Sequence, residues 1–269
     1  MTLDAQTRQC DMCGRAAPDV RMTREHIFAQ SLRDTVAESD DHTFTSATGP
    51  TVAGLTRTDH HRPVNLMDVT TRTICDRCNN GWMSELEVRA NPVLRRLIAG
   101  TDHLSADEVD TVRLWGAKTA AVEQMAAARG RDEAPVAAED RRSIRDGAVP
   151  DAWVITATRL DPTWRHHTHR GYAPLDLQRV VGGRETIERF HFTVLEIGCM
   201  LTTVTGGPPD SDAAADVCRL AVRHLWRRVP ALTPLFDGEA ADLGTWHLPS
   251  EETLSQLLME FSSFLLQEN

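Results

Sequence analysis

The sequence predicts an α+β protein, and three observations carry that prediction. Two Cys-x-x-Cys knuckles, Cys10–Cys13 and Cys75–Cys78, bracket a stretch that regains β-branched character over 64–74. Ser105-Ala106-Asp107-Glu108 is a capping-box start for a long helix. Strand-like runs then follow near 152–160, 164–172 and 188–205. With 269 residues the chain can fill one or two domains. The reading divides it into a zinc-bearing domain over 1–100 and a second α+β domain, of no recognised family, over 101–269.

Each element has a local reason. Val20 to Phe28 reads as a strand or turn leading into a brief helix through Leu32. Residues 35–63, rich in Thr, Asp, Gly, Pro and His, read as a long polar loop in which His60 and His61 are solvated. Asn79 to Glu87 begins a helix, Asn91-Pro92 restarts it, and Gly100 ends it. The Ser105 helix runs to about Ala128, with Val109, Val112, Leu114, Trp115 and Val122 on one broad apolar face. A charged connector with one short helix fills 129–150. A helix over about 211–228 and a last one from Pro249 to Leu265 close the chain; the leucine and phenylalanine stripe of the latter is core.

Composition limits the function classes. The formal charge is −10, against a general nucleic-acid coat protein. That charge is uneven: residues 1–100 hold 12 Arg and 13 Asp+Glu, so most of the acidity belongs to 101–269. Every basic residue is Arg except Lys118. The run of about 18 apolar residues that a membrane span needs is missing. The polar start lacks the apolar stretch of a secretion signal, and a cytoplasmic location is expected.

Two thiols three residues apart can grip one ion from a tight turn, and a second such pair completes a tetrahedron. Cys10, Cys13, Cys75 and Cys78 are therefore expected to bind structural zinc rather than form disulfides. Cys199 and Cys218 sit in apolar or helical runs and read as buried small hydrophobes.

Between and after the knuckles stand Glu25-His26 and a Cys-x-x-Cys-Asn that opens a helix. Phosphodiester hydrolysis assisted by a metal needs such parts: a near-neutral base for water and oxygen ligands for a hard ion. On an extended segment Glu25 and His26 point to opposite sides. The stretch Cys-Asp-Met-Cys, Thr-Arg-Glu-His-Ile-Phe, Thr-Ile-Cys-Asp-Arg-Cys-Asn-Asn-Gly-Trp-Met resembles the HNH endonuclease family, the zinc-stapled ββα-metal nucleases, over about residues 8–90. The resemblance implies an N-terminal ββα-metal domain with a four-cysteine zinc site. It implies His26 as general base, Glu25 and Asn79 as ligands of a catalytic Mg²⁺ or Mn²⁺, and nucleic acid, DNA ahead of RNA, as substrate. Departures from the family are Glu25 in place of Asp, Thr70 where a middle Asn is usual (Asn65 is the nearest), a long stretch between His26 and Cys75, and Trp82 and Met83 on the helix.

The alternative is a catalytically silent zinc-stabilised module that binds nucleic acid or protein, with Asn79 or Asn80 capping a helix and His26 packed as a polar residue. Weaker candidates for phosphate contact are His167 and His169 with Arg165 or Arg170, which read first as solvent-exposed polar residues, and Arg89, Arg95 and Arg96, which solvation explains equally well. His191, His224 and His247 show no partner pattern. Residues 101–269 are left three roles: substrate recognition, homodimerisation or binding of a regulatory partner.

Overall fold

The computed structural model describes residues 9–36, 43–48, 56–61, 66–127, 134–161, 168–181, 184–206, 233–243 and 245–246. The helices expected over 211–228 and from Pro249, together with Asn65, Arg165, His167, Cys218, His224 and His247, lie outside them.

The first knuckle turns at Gly14, whose φ of +71° suits a residue without Cβ, and its N–H closes on the Cys10 carbonyl at 2.8 Å. Strand β1 (Met22–His26) follows, then a 3₁₀ turn at Gln30–Leu32. Strands β2 (Thr43–Thr48) and β3 (Thr56–His61) pair as an antiparallel hairpin. The sequence suggests a polar loop there; Thr-rich strands without an apolar alternation hide from periodicity yet suit a pleated backbone. Strand β4 (Thr70–Cys75) returns alongside β1, with a bulge between Thr23 and Glu25 and with Thr70 opposite His26.

From β4 the chain becomes helical as α1 (Asp76–Cys78), widens into a π-type turn at Asn79–Met83 with a kink at Gly81, and continues as α2 (Ser84–Ile98). Pro92 does not interrupt α2. It sits on the exposed face, where the carbonyl of Val88, a residue 72% exposed, is open to water. Gly100, at φ +100°, ends the turn after the helix, in keeping with the sequence.

Strand β5 (His103–Leu104) leads to α3 (Ala106–Ala127), then α4 (Ala138–Arg145). The long strands are β6 (Val154–Leu160), β7 (Thr168–Val181), β8 (Arg184–Ile197) and β9 (Met200–Gly206). Three short ones are β10 (Thr233–Pro234), β11 (Ala241–Asp242) and β12 (Thr245–Trp246). One sheet runs β10-β6-β9-β8-β7, all antiparallel, with β12 added parallel to β6. β5 and β11 form a separate pair.

Helix α3 is the centre of the packing. Its residues are buried without a gap from Leu114 to Gln124, a wider burial than one broad face. Gly116 brings the helix against the sheet: a Cβ there would stand 3.5 Å from both Ile155 and Thr202. The apolar core is continuous across residue 100 and joins Phe28, Leu86 and Leu97 to Trp115, Ile155 and Val204. Among the described residues no helix is long and apolar enough to cross a membrane.

The start of α3 matches the capping-box reading on one side: the Ser105 N–H donates to Glu108 Oε2 at 3.0 Å. Arg96 of α2 then grips both oxygens of Glu108, at 2.7 and 3.1 Å. The Arg96 guanidinium, followed by the Ser105 N–H, holds the Glu108 carboxyl down at about 2. A depressed carboxyl stabilises the fold above its unfolded value near 4.3 and stops doing so as pH falls through the folded value. Glu108→Gln should therefore cost about 1 kcal/mol at pH 7. In thermal melts the gap between variant and wild type should shrink as pH drops from about 4.3 towards 2; a constant gap would contradict this linkage.

Candidate metal centre and the histidine strand

The cysteine cluster is built by backbone contacts between the two knuckles. Asp11 N–H donates to the Thr73 carbonyl at 2.8 Å and Asp76 N–H to the Arg21 carbonyl at 2.8 Å, so each knuckle is tied to the strand beside the other. The Cys75 N–H points at Cys10 Sγ, 3.3 Å away. The ligand atoms of Cys10, Cys13, Cys75 and Cys78 all lie within 4.8 Å of one another. Cys13 Sγ and Cys75 Sγ are 3.7 Å apart, close to the ~3.8 Å edge of a tetrahedron with ~2.3 Å Zn–S bonds. Four sulfurs so placed can hold a metal ion such as zinc.

Proton sharing among the thiols points the same way. A hydrogen bond from Cys78, then backbone amides, bring Cys10 down to about 4 against the cost of its burial. Cys78 is pushed up, first by that same bond, and Cys75 is pushed up first by burial. The Cys10 thiolate is favoured while Cys75 and Cys78 keep their protons, and a divalent cation entering the cluster displaces them.

Next to the cluster, the wide helical turn aims Asn79 at β1. Its Nδ2 donates to Thr23 Oγ1 and to the Arg24 carbonyl, both at 3.0 Å, and Thr23 Oγ1 donates in turn to the Ile74 carbonyl at 3.1 Å. Asn80 is exposed. Along β1, alternation and burial agree: Arg24 is exposed and His26 half-buried on one face, and Glu25 is buried on the other. Thr70 and the exposed Arg72 of β4 share the His26 face. Burial, offset in part by Asp68, lowers the His26 pKa, so the imidazole is neutral at pH 7. Among the described residues its ring makes no hydrogen bond.

Glu25 has a partner that no local motif announces. Its Oε1 accepts from Lys118 Nζ at 3.0 Å, and the same ammonium reaches Glu87 Oε1 of α2 at 2.6 Å. Lys118 is fully buried and Glu25 is 5% exposed. Burial raises the Glu25 carboxyl, countered by Lys118, and the two carboxylates outweigh burial to raise Lys118. Of the two residues expected to hold a divalent ion, Glu25 gives its Oε1 to an ammonium, and Asn79 gives its amide nitrogen, not its oxygen, to β1. As a pair they do not fit such an ion, which at Glu25 would meet Lys118. Apart from the cysteines, no group of three or more His, Cys, Asp or Glu side chains converges among the described residues.

Several candidate phosphate contacts are also engaged internally. Arg95 bonds Asp34 at 2.6 Å as well as the Ser31 carbonyl and Asn91; Arg96 holds Glu108. Arg170 pairs with Glu123 of α3 beneath the sheet, and burial brings it down to about 10. Arg89 is exposed. His191 Nδ1 meets Tyr172 Oη at 2.9 Å, and Cys199 is buried. The side chains of His60, His61 and His169 lie outside the described residues. Lys118 carried one legible signal, its place in the apolar run Leu114 to Val122; Glu87 carried none.

Comparison with protein-family models, curated proteins and solved structures finds no match to this chain.

Zinc at the four sulfurs should appear as one ion per chain by metal analysis. Cys75→Ser should lose it and lower the melting temperature by roughly 10 °C or more. A variant that melts like the wild type would remove the metal assignment.

Proposed function

We propose that the chain hydrolyses phosphodiester bonds in nucleic acid, DNA ahead of RNA, as an HNH-type endonuclease whose Mg²⁺ or Mn²⁺ would be held by groups other than the Glu25 and Asn79 pair. The observation that carries this reading is the outward face of the β1–β4 pair. A neutral, half-buried His26 stands there on the same face as two exposed arginines, Arg24 and Arg72, on a strand gripped by Asn79 beside the cysteine cluster. A neutral imidazole can take the proton of an attacking water, and guanidinium forks suit phosphate oxygens. A strand pair followed by a helix beside four cysteines also supports the resemblance stated from sequence. The second reading, a silent zinc-stabilised module that binds nucleic acid or protein, is favoured by one observation: the Glu25 carboxylate is held by Lys118.

Plasmid and single-stranded substrates incubated in Mg²⁺ or Mn²⁺ separate the two. Wild type should cleave, metal-free buffer should stop it, and His26→Ala should lose at least ~100-fold in rate. Equal cleavage by both proteins would sink the role of His26. Retained binding with no cleavage by either would favour the silent module.

A further inference from the structure

Burying an ammonium is costly unless charged partners satisfy it. Lys118 is the chain's sole lysine and is fully buried. It lies midway along α3, between a carboxylate on β1 and another on α2, at 3.0 and 2.6 Å. Two carboxylates and one ammonium leave a net charge of −1, and the more exposed partner, Glu87 at 24% of its side chain, lies nearer water. Glu25 has no such outlet, its side chain being 6% exposed. An arginine fork would not replace this head group, because three rotatable donors on a compact centre serve two carboxylates on different elements. Glu25 also stands immediately after the point where the β1–β4 register slips, the extra residue lying on β4, and the strand pair is free to twist there unless it is pinned. Asn79 pins the residues before it, Thr23 and Arg24. Lys118 pins Glu25 itself.

We propose that Lys118 is the resident cation of Glu25: its ammonium fills the place a divalent ion would take, so Glu25 ties the His26 strand to α2 and α3 and does not ligate metal. This goes beyond the nuclease reading and stands whether or not the chain cleaves nucleic acid. It makes α3, which belongs to the part of the chain after residue 100, a builder of the histidine strand. Any divalent ion used at His26 takes its ligands from other groups.

The test uses the zinc-loaded full chain as wild type, Glu25→Gln, Lys118→Met and the double variant, with Mn²⁺ as the probe. Thermal melts and Mn²⁺ binding by electron paramagnetic resonance are read on each. Lys118→Met strands two carboxylates and should lower the melting temperature by roughly 6–20 °C, or prevent folding. Adding Glu25→Gln removes one stranded charge, so the double variant should fold and regain at least half of that loss. Mn²⁺ binding by Glu25→Gln should stay within threefold of wild type, weak or absent binding in both included. Losses that simply add in the double variant would overturn the proposal. So would Mn²⁺ binding weakened more than threefold by Glu25→Gln.

Discussion

A helix segment buried on every side must settle its charged groups inside the protein, and α3 from Leu114 to Gln124 is such a segment. Between Leu114 and Gln124 it carries Lys118, Thr119, Glu123 and Gln124 with no route to water. Lys118 meets Glu25 and Glu87, Glu123 meets Arg170, and Gln124 donates to Thr193 at 3.1 Å. These contacts leave the helix in two directions, towards the cysteine-bearing lobe and towards the large sheet. Small residues at Gly116, Ala117, Ala120 and Ala121 let both neighbours come close. The polar contacts then fix the helix rotation, because turning it would strand charges on both sides.

The histidine strand inherits its position from that arrangement. Its inward face is held by an ion pair to α3, its beginning by the Asn79 amide, and its partner strand ends in the cysteine cluster. His26, with Arg24 and Arg72 on the same face, is therefore supported from three directions. Rigid support behind a half-buried imidazole is what the proposed role of His26 as a base would use.

Much of this was legible from local chemistry. The tetrad of cysteines declared itself by spacing, since two three-residue bites are a geometric device that packing alone would not ask for. The Ser105 and Glu108 pairing, the end of α2 at Gly100 and strand β6 also follow from short-range rules, whereas the run over 188–205 is two strands, β8 and β9, and β7 continues past 172 to Val181. What escaped is what depends on distant partners. The β2–β3 hairpin has no apolar stripe to betray it. Glu25 reads as a ligand from its neighbour His26, whereas its partner lies 93 residues away on α3. Arg95 and Arg96 look like free charges until Asp34 and Glu108 are placed beside them.

The hairpin set between the two knuckles has a consequence for how the chain tolerates change. A metal joining Cys13 to Cys75 closes a loop of 61 intervening residues. By chain statistics, such a crosslink removes about 4 kcal/mol of disorder from the unfolded chain. Doubling the enclosed length would alter closure by only ~0.6 kcal/mol. Insert length is therefore nearly decoupled from the stability of the cluster. The segment carrying β2 and β3 can lengthen, shorten or change sequence while the cysteines and the histidine strand keep their geometry, which makes it the natural place for this architecture to vary.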